Sequence, residues 1–206
     1  MITDAATLRR SLEALAVRDP CMARALEMTG FPKPKQYTRG YAALLRIITS
    51  QQVSNEAGTS IWKKLQGRLR EVTAEKVLRV HERTLRECGL SRSKVRYAKV
   101  LAQAVKTREL DLEQLDSYTD EKVRVVLTHF LGIGPWTAEI YLMFVLGRPD
   151  IFPSGDLALA IATKNMLDLE EKPDPVELAI ISERWRPFRT AASIMLWHYY
   201  RHMPFA

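Results

Sequence analysis

Asp156 is the side chain whose neighbours point most directly to chemistry. It follows Pro153, Ser154 and Gly155 and precedes the apolar run Leu157-Ala158-Leu159, so it stands where a helix begins. Free N–H groups and the positive end of the helix dipole stabilise a carboxylate there in its charged form. Such a carboxylate cannot protonate a leaving group. It can stabilise positive charge developing on a neighbouring atom and orient a water. The plainer reading is an N-cap and nothing more. Upstream lies Gly132-Ile133-Gly134-Pro135, between the apolar positions Val123, Val126, Leu127 and Phe130 and a second helical run. The glycines permit a tight hairpin and close approach of a ligand to the backbone. Pro135 suits the first turn of the helix that follows, and the other early amides of that helix form a site for phosphate.

Helices must carry both features. A first helix bears Leu8, Leu12 and Leu15 with Thr3 as its cap, and a second runs from Asp19-Pro20 to Gly30. Residues 31–40 hold two prolines and the cations Lys33, Lys35 and Arg39, which reads as a surface connector. From Tyr41 a helix with Leu44, Leu45 and Ile48 reaches Ser50-Gln51-Gln52-Val53-Ser54, and Ser54 caps the next. Thr73 opens another helix, and the pattern continues from His81 to Cys88. Ser91 then caps a helix whose first turns hold Arg92, Lys94, Arg96 and Lys99. Cations at that end oppose the dipole, so either phosphate contact or a solvated face accounts for them. Thr119 opens the helix into the hairpin, Leu157–Leu167 is helical, Asp174-Pro175 starts another helix and Pro187 opens the last. No alternating strand pattern or internal repeat is present. The expected fold is all-α.

Leu131-Gly132-Ile133-Gly134-Pro135-Trp136-Thr137-Ala138 followed by Phe152-Pro153-Ser154-Gly155-Asp156 resembles the helix-hairpin-helix superfamily of base-excision DNA glycosylases. It is most similar to the alkylation-repair, 3-methyladenine DNA glycosylase II branch. Ser50–Ser54, Gly89–Lys94 and Glu183–Arg189 with Trp197 extend the likeness over about Gly40 to His202. The resemblance implies two helical subdomains flanking a cleft: residues 1–39 packing with 148–206, and 40–147 holding the hairpin. It makes Asp156 catalytic and places Trp136, Trp197 and Tyr141 around the base. Tyr141 and Trp185 read first as packing residues. DNA contacts are implied at Gly132, Gly134, Thr137, Lys94 and Gln52, the last filling the gap left by an extruded nucleotide. Some relatives have an apolar wedge at this position, so Gln52 makes hydrogen bonding to the orphaned base the more plausible role. The family also holds a monovalent cation on main-chain carbonyls, here those of Thr128, Phe130 and Ile133. Its strand-cleaving members have lysine where Trp136 stands, so an enzyme leaving an intact abasic site is implied.

The chain of 206 residues is long enough to bury a core, as one domain or two small ones. Its 31 Lys and Arg against 24 Asp and Glu give +7, which favours a polyanionic partner. Two cysteines, Cys21 and Cys88, are too few for a four-cysteine iron–sulfur cluster and fit a reducing compartment. No run is apolar enough for a membrane span, and the N-terminus lacks a signal-peptide core. An intracellular monomer acting on damaged double-stranded DNA is expected, cytoplasmic or nuclear by organism, with no required cofactor. The activity implied is hydrolysis of the N-glycosidic bond of alkylated purines such as 3-methyladenine and 7-methylguanine. Two alternatives stand beside it: a glycosylase for oxidised or deaminated bases, and a non-catalytic DNA-binding or damage-sensing module.

Overall fold

The computed structural model describes residues 4–203. Among these residues the regular structure is entirely helical, in twelve α-helices and two short 3-10 turns. Short polar side chains define many of the helix starts. Asp19, Ser54, Thr73, Ser91, Thr119 and Asp174 each accept a hydrogen bond from an amide two or three residues on. Each such cap contributes about 1 kcal/mol. The first helix, α1 (Ala5–Arg18), is capped by Asp4, which accepts from the Thr7 amide at 2.8 Å. Thr3, the cap expected there, lies outside the described residues. The helical pattern around His81 is broken: α5 (Ala74–Arg79) ends before it, and α6 (Glu82–Glu87) begins after it with the His81 ring as cap.

The chain divides into two compact units, Met1–Gln36 with Leu142–Ala206, and Tyr37–Tyr141. The resemblance implies breaks after residues 39 and 147. The observed divisions follow Gln36 and Tyr141, the second inside helix α9 (Pro135–Phe144).

In the Tyr37–Tyr141 unit the central element is α3 (Tyr41–Thr49), with Leu44, Leu45, Ile47 and Ile48 at most 1% exposed. Each such side chain contributes about 1.5–3 kcal/mol through burial. Helix α7 (Arg92–Lys106) packs on α3 and α5, and the Tyr41 hydroxyl donates to the Ala98 carbonyl at 2.8 Å. α4 (Asn55–Leu69) follows α3, and α8 (Asp120–Thr128) leads into the hairpin.

In the other unit α12 (Arg189–His202) packs on α1, α2 (Pro20–Thr29) and α10 (Leu157–Leu167), and α11 (Pro175–Ser182) lies beside α10. Two of its carboxylates are paired. Asp19 caps α2 and also accepts from the Trp185 indole at 2.9 Å and Arg184 at 3.0 Å. Arg189 forks onto both carboxylate oxygens of Asp150, at 2.9 and 3.0 Å. This two-point pairing fixes the chain ahead of α10 against the start of α12.

Candidate active site

The hairpin is built from turn hydrogen bonds in which the Phe130 amide donates to Leu127 O and the Ile133 amide to Phe130 O, both at 3.1 Å. The ladder of α9 starts with the Ala138 amide donating to Gly134 O at 3.1 Å, so the earlier amides lie outside it. The two glycines have different reasons to be glycine. Gly132 has φ +89°, and a Cβ there would fall 2.3 Å from Cγ of Tyr97. Gly134 is exposed, and a Cβ on it would meet nothing within 4 Å. The first glycine closes the turn onto a ring; the second leaves the helix start open.

Two side chains hold the α3–α4 junction, Gln51 against this hairpin and Lys94 against α7. Gln51 donates from Nε2 to Gly132 O at 2.9 Å and to Thr137 Oγ1 at 2.8 Å. Lys94 donates from Nζ to Thr49 O at 3.1 Å and Gln51 O at 2.7 Å. Burial holds the Lys94 pKa below the ordinary lysine value. Beside them Gln52 is exposed, with φ +52°.

Asp156 is the N-cap of α10. Its Oδ1 accepts the Leu159 amide at 3.0 Å and the Trp197 indole N–H at 3.1 Å. The Trp197 ring is half-buried and tilted on Phe144, with centroids 6.0 Å apart. The loop before Asp156 is clamped by Thr190, whose Oγ1 donates to Arg148 O at 2.8 Å and accepts the Ile151 amide at 3.0 Å. The Asp156 amide turns back to Pro153 O at 2.9 Å. The carboxylate is thus fixed through its own backbone, a helix amide and an indole. A fixed carboxylate is suited to stabilising a cation that forms during reaction.

A family model described as "HhH-GPD superfamily base excision DNA repair protein" matches residues 45–187. The chain belongs to the HhH-GPD superfamily. Among curated relatives it is 30% identical over 162 residues to the alkylbase DNA glycosidase-like protein mag2 of Schizosaccharomyces pombe, covering 76% of each chain. It is also 30% identical to DNA-3-methyladenine glycosylase 1 of the same yeast, over 161 residues covering 76% of this chain and 71% of that one. A solved structure of the Schizosaccharomyces pombe 3-methyladenine DNA glycosylase Mag1 in complex with abasic DNA superposes with TM-score 0.84 at 27% identity. That match covers 91% of this chain and 95% of the other.

Within the HhH-GPD chain several side chains sit otherwise than expected. Lys94 is buried with its ammonium on two carbonyls, so it serves as a brace and not as a phosphate contact. Lys99 likewise donates to Leu78 O and Val80 O, closing the end of α5. Arg92 and Arg96 are exposed and keep the phosphate reading. Thr137 is 2% exposed and accepts from Gln51, so its hydroxyl supports the hairpin from inside. Tyr141, placed beside the base by resemblance, is 1% exposed, and burial raises its phenol to about 12. It is a packing residue. Trp136 is half-buried in the first turn of α9, and Trp185 is fully buried. The supporting roles of Gln51, Thr190 and the Asp150–Arg189 pair had no sequence signal beyond polar residues next to motifs.

Proposed function

We propose that this chain is a monofunctional DNA N-glycosylase that removes alkylated purines of the 3-methyladenine and 7-methylguanine type from duplex DNA. The observation that carries this reading is Asp156, held at the start of α10 by the Leu159 amide and the Trp197 indole, in a chain of this superfamily. A base alkylated at a ring nitrogen is already cationic. As its C1′–N bond breaks, the bonding electrons go to the base, which leaves neutral, and positive charge forms on the deoxyribose. The Asp156 carboxylate stabilises that charge and orients a water. Water oxygen bonds to C1′, and its proton passes to Asp156 and then to solvent. Acid assistance to the leaving base is not needed, which matches a site built on a carboxylate. The indole face of Trp197 beside Asp156 suits an electron-poor base. At Trp136 there is no amine for a Schiff base.

The open start of α9 and the exposed Arg92 and Arg96 support a grip on the DNA backbone that does not read sequence. A monovalent cation on the carbonyls of Thr128, Phe130 and Ile133 fits the same hairpin. Those donors are neutral oxygens, and Phe130 O keeps a lone pair after accepting the Ile133 amide. Such an ion would fix the turn and add positive charge near the phosphate. Exchanging sodium or potassium for a bulky tetraalkylammonium at constant ionic strength should weaken DNA binding if it is present. No helix among the described residues is long and apolar enough to cross a membrane. Duplex DNA as substrate supports an intracellular role, cytoplasmic or nuclear by organism, for a chain that acts as a monomer.

The deciding test is incubation with methylated duplex DNA, followed by identification of released bases and of strand breaks before and after alkali. Release of 3-methyladenine or 7-methylguanine with breaks only after alkali is expected. Binding without release would leave a damage-sensing module, and release of oxidised or deaminated bases alone would move the substrate class.

A further inference from the structure

We propose that Lys94 and Gln51 are positioning residues that lock Gln52 to the hairpin, so that the side chain entering the duplex and the backbone grip on phosphate act as one rigid part. This rests on the glycosylase reading above for what Gln52 does, and on the Tyr37–Tyr141 unit alone for its geometry. The last carbonyls of a helix have no partner within it. At the end of α3 two carbonyls from 49–51 are taken by one buried ammonium, that of Lys94. A buried cation costs desolvation, and a well-packed apolar side chain often serves stability as well, so stability alone does not account for it. What it holds does. Gln51 is gripped at its carbonyl by Lys94, and its side-chain amide reaches Gly132 O and Thr137 Oγ1 across the hairpin.

Two further features fix the same loop. A Cβ on Gly58 of α4 would lie 3.0 Å from Ser50 Oγ, so α4 presses directly on the junction. Gln52, the next exposed residue, takes φ +52°, a left-handed conformation that costs a non-glycine residue energy, and it directly follows the residue that Lys94 and the hairpin hold. Lys99 supplies an internal control. It caps α5 through the same two-carbonyl arrangement, but no exposed left-handed residue follows there.

The test uses the full chain and its Lys94→Met, Gln51→Leu, Lys94→Arg and Lys99→Met variants. Single-turnover release of 7-methylguanine is measured opposite cytosine and in a mispair. Binding is measured to a duplex with a tetrahydrofuran abasic analogue and to the intact duplex. A rigid filler matters most where extrusion is costly, so Lys94→Met and Gln51→Leu should slow release from the paired site by about tenfold and from the mispair by less than about twofold. Both should lose the preference for the abasic-analogue duplex while keeping affinity for the intact one. Lys94→Arg retains donors and should restore much of both ratios, and Lys99→Met should lower only the melting temperature. Equal slowing on both substrates, or the same behaviour in Lys94→Met and Lys99→Met, overturns the proposal. If Lys94→Met does not fold, Gln51→Leu decides alone. If the wild type releases no base, the glycosylase reading falls, and the abasic-analogue preference still decides whether the lock exists.

Discussion

The starts of α9 and α10 are the same structural device with opposite electrical sign. Each follows a glycine-containing turn, and each presents early amides at the positive end of a helix dipole. At α9 the residue ahead of Pro135 is Gly134, which has no side chain, and a Cβ there would enter open space. A phosphate brought to that open side would be the natural anion for a helix start. At α10 the corresponding residue is Asp156, whose own carboxylate takes the Leu159 amide. That end is already neutralised, and the carboxylate faces its surroundings as a negative group. On the function proposed above, one residue at the cap decides whether a helix start attracts the DNA backbone or a cation forming on the sugar.

Replacing the charge at α10 should have the largest effect. Asp156→Asn keeps the shape of the cap, and base release should fall by at least about 10²–10³-fold, the scale of losing one preorganised electrostatic group. Affinity for an abasic-analogue duplex should stay within a few-fold. Full turnover in this variant would leave α10 with an ordinary cap. Making α9 resemble α10 is the converse experiment. Gly134→Asp puts a carboxylate at the open helix start, and DNA affinity should fall by about ten- to a hundredfold, with a shallower dependence on salt. The melting temperature should hardly move, because no protein atom lies in the way. Gly132→Ala should do the reverse. With φ +89° and the Tyr97 ring 2.3 Å from the new Cβ, it should cost about 1–3 kcal/mol of stability. If the two glycine variants behave alike in melting and binding, the division between an open and a closed glycine is wrong.

The parts of this arrangement that local chemistry dictates were legible in the sequence. Asp19-Pro20, Ser54, Thr73, Ser91, Thr119 and Asp174-Pro175 announce helix starts because capping is a matter of three or four consecutive residues. Gly132, Gly134 and Asp156 were legible for the same reason. What stayed hidden depends on partners distant in sequence. Lys94 and Arg92 look alike in a basic helix start, yet only the structure shows that Lys94 points at carbonyls of residues 49 and 51. Gln51 and Gln52 are identical neighbours; one is tied to Gly132 and Thr137, and the other is exposed. Trp197 reads as core or pocket from helical spacing, and its indole hydrogen bond to Asp156 has no local signature.

That indole bond gives a smaller effect that separates positioning from stacking. Trp197→Phe keeps an aromatic face and removes the N–H that reaches Asp156 Oδ1 at 3.1 Å. Losing a hydrogen bond to a charged group is worth about 1.5–3 kcal/mol, so release should slow by roughly ten- to a hundredfold if the bond orients the carboxylate. If Trp197 acts only as a stacking wall, the phenylalanine variant should keep nearly wild-type rates, and Trp197→Ala alone should be impaired. A double variant with Asp156→Asn sharpens the point, because a group acting through Asp156 has little left to contribute once the charge is gone.

The smallest effect expected is none at all: borohydride should trap no covalent adduct with DNA. Schiff-base formation needs a neutral amine at C1′, and neither helix start supplies one. The residue two places after Gly134 is Trp136, and those after Asp156 are Leu157 and Ala158. Arg148 carries a guanidinium, which is no amine nucleophile. Lys164 lies on α10 eight residues beyond its cap, which puts its backbone roughly 12 Å further along the helix axis. An amine near this region is Lys35, whose Nζ sits 5.5 Å from the ring centroid of Phe144, the same ring on which Trp197 is tilted. Trapping an adduct in the wild type and losing it in Lys35→Ala would show that this amine reaches the sugar and that the α10 side of the comparison holds a nucleophile as well as a carboxylate. Loss in Lys164→Ala instead would mean that the start of α10 rearranges when DNA binds.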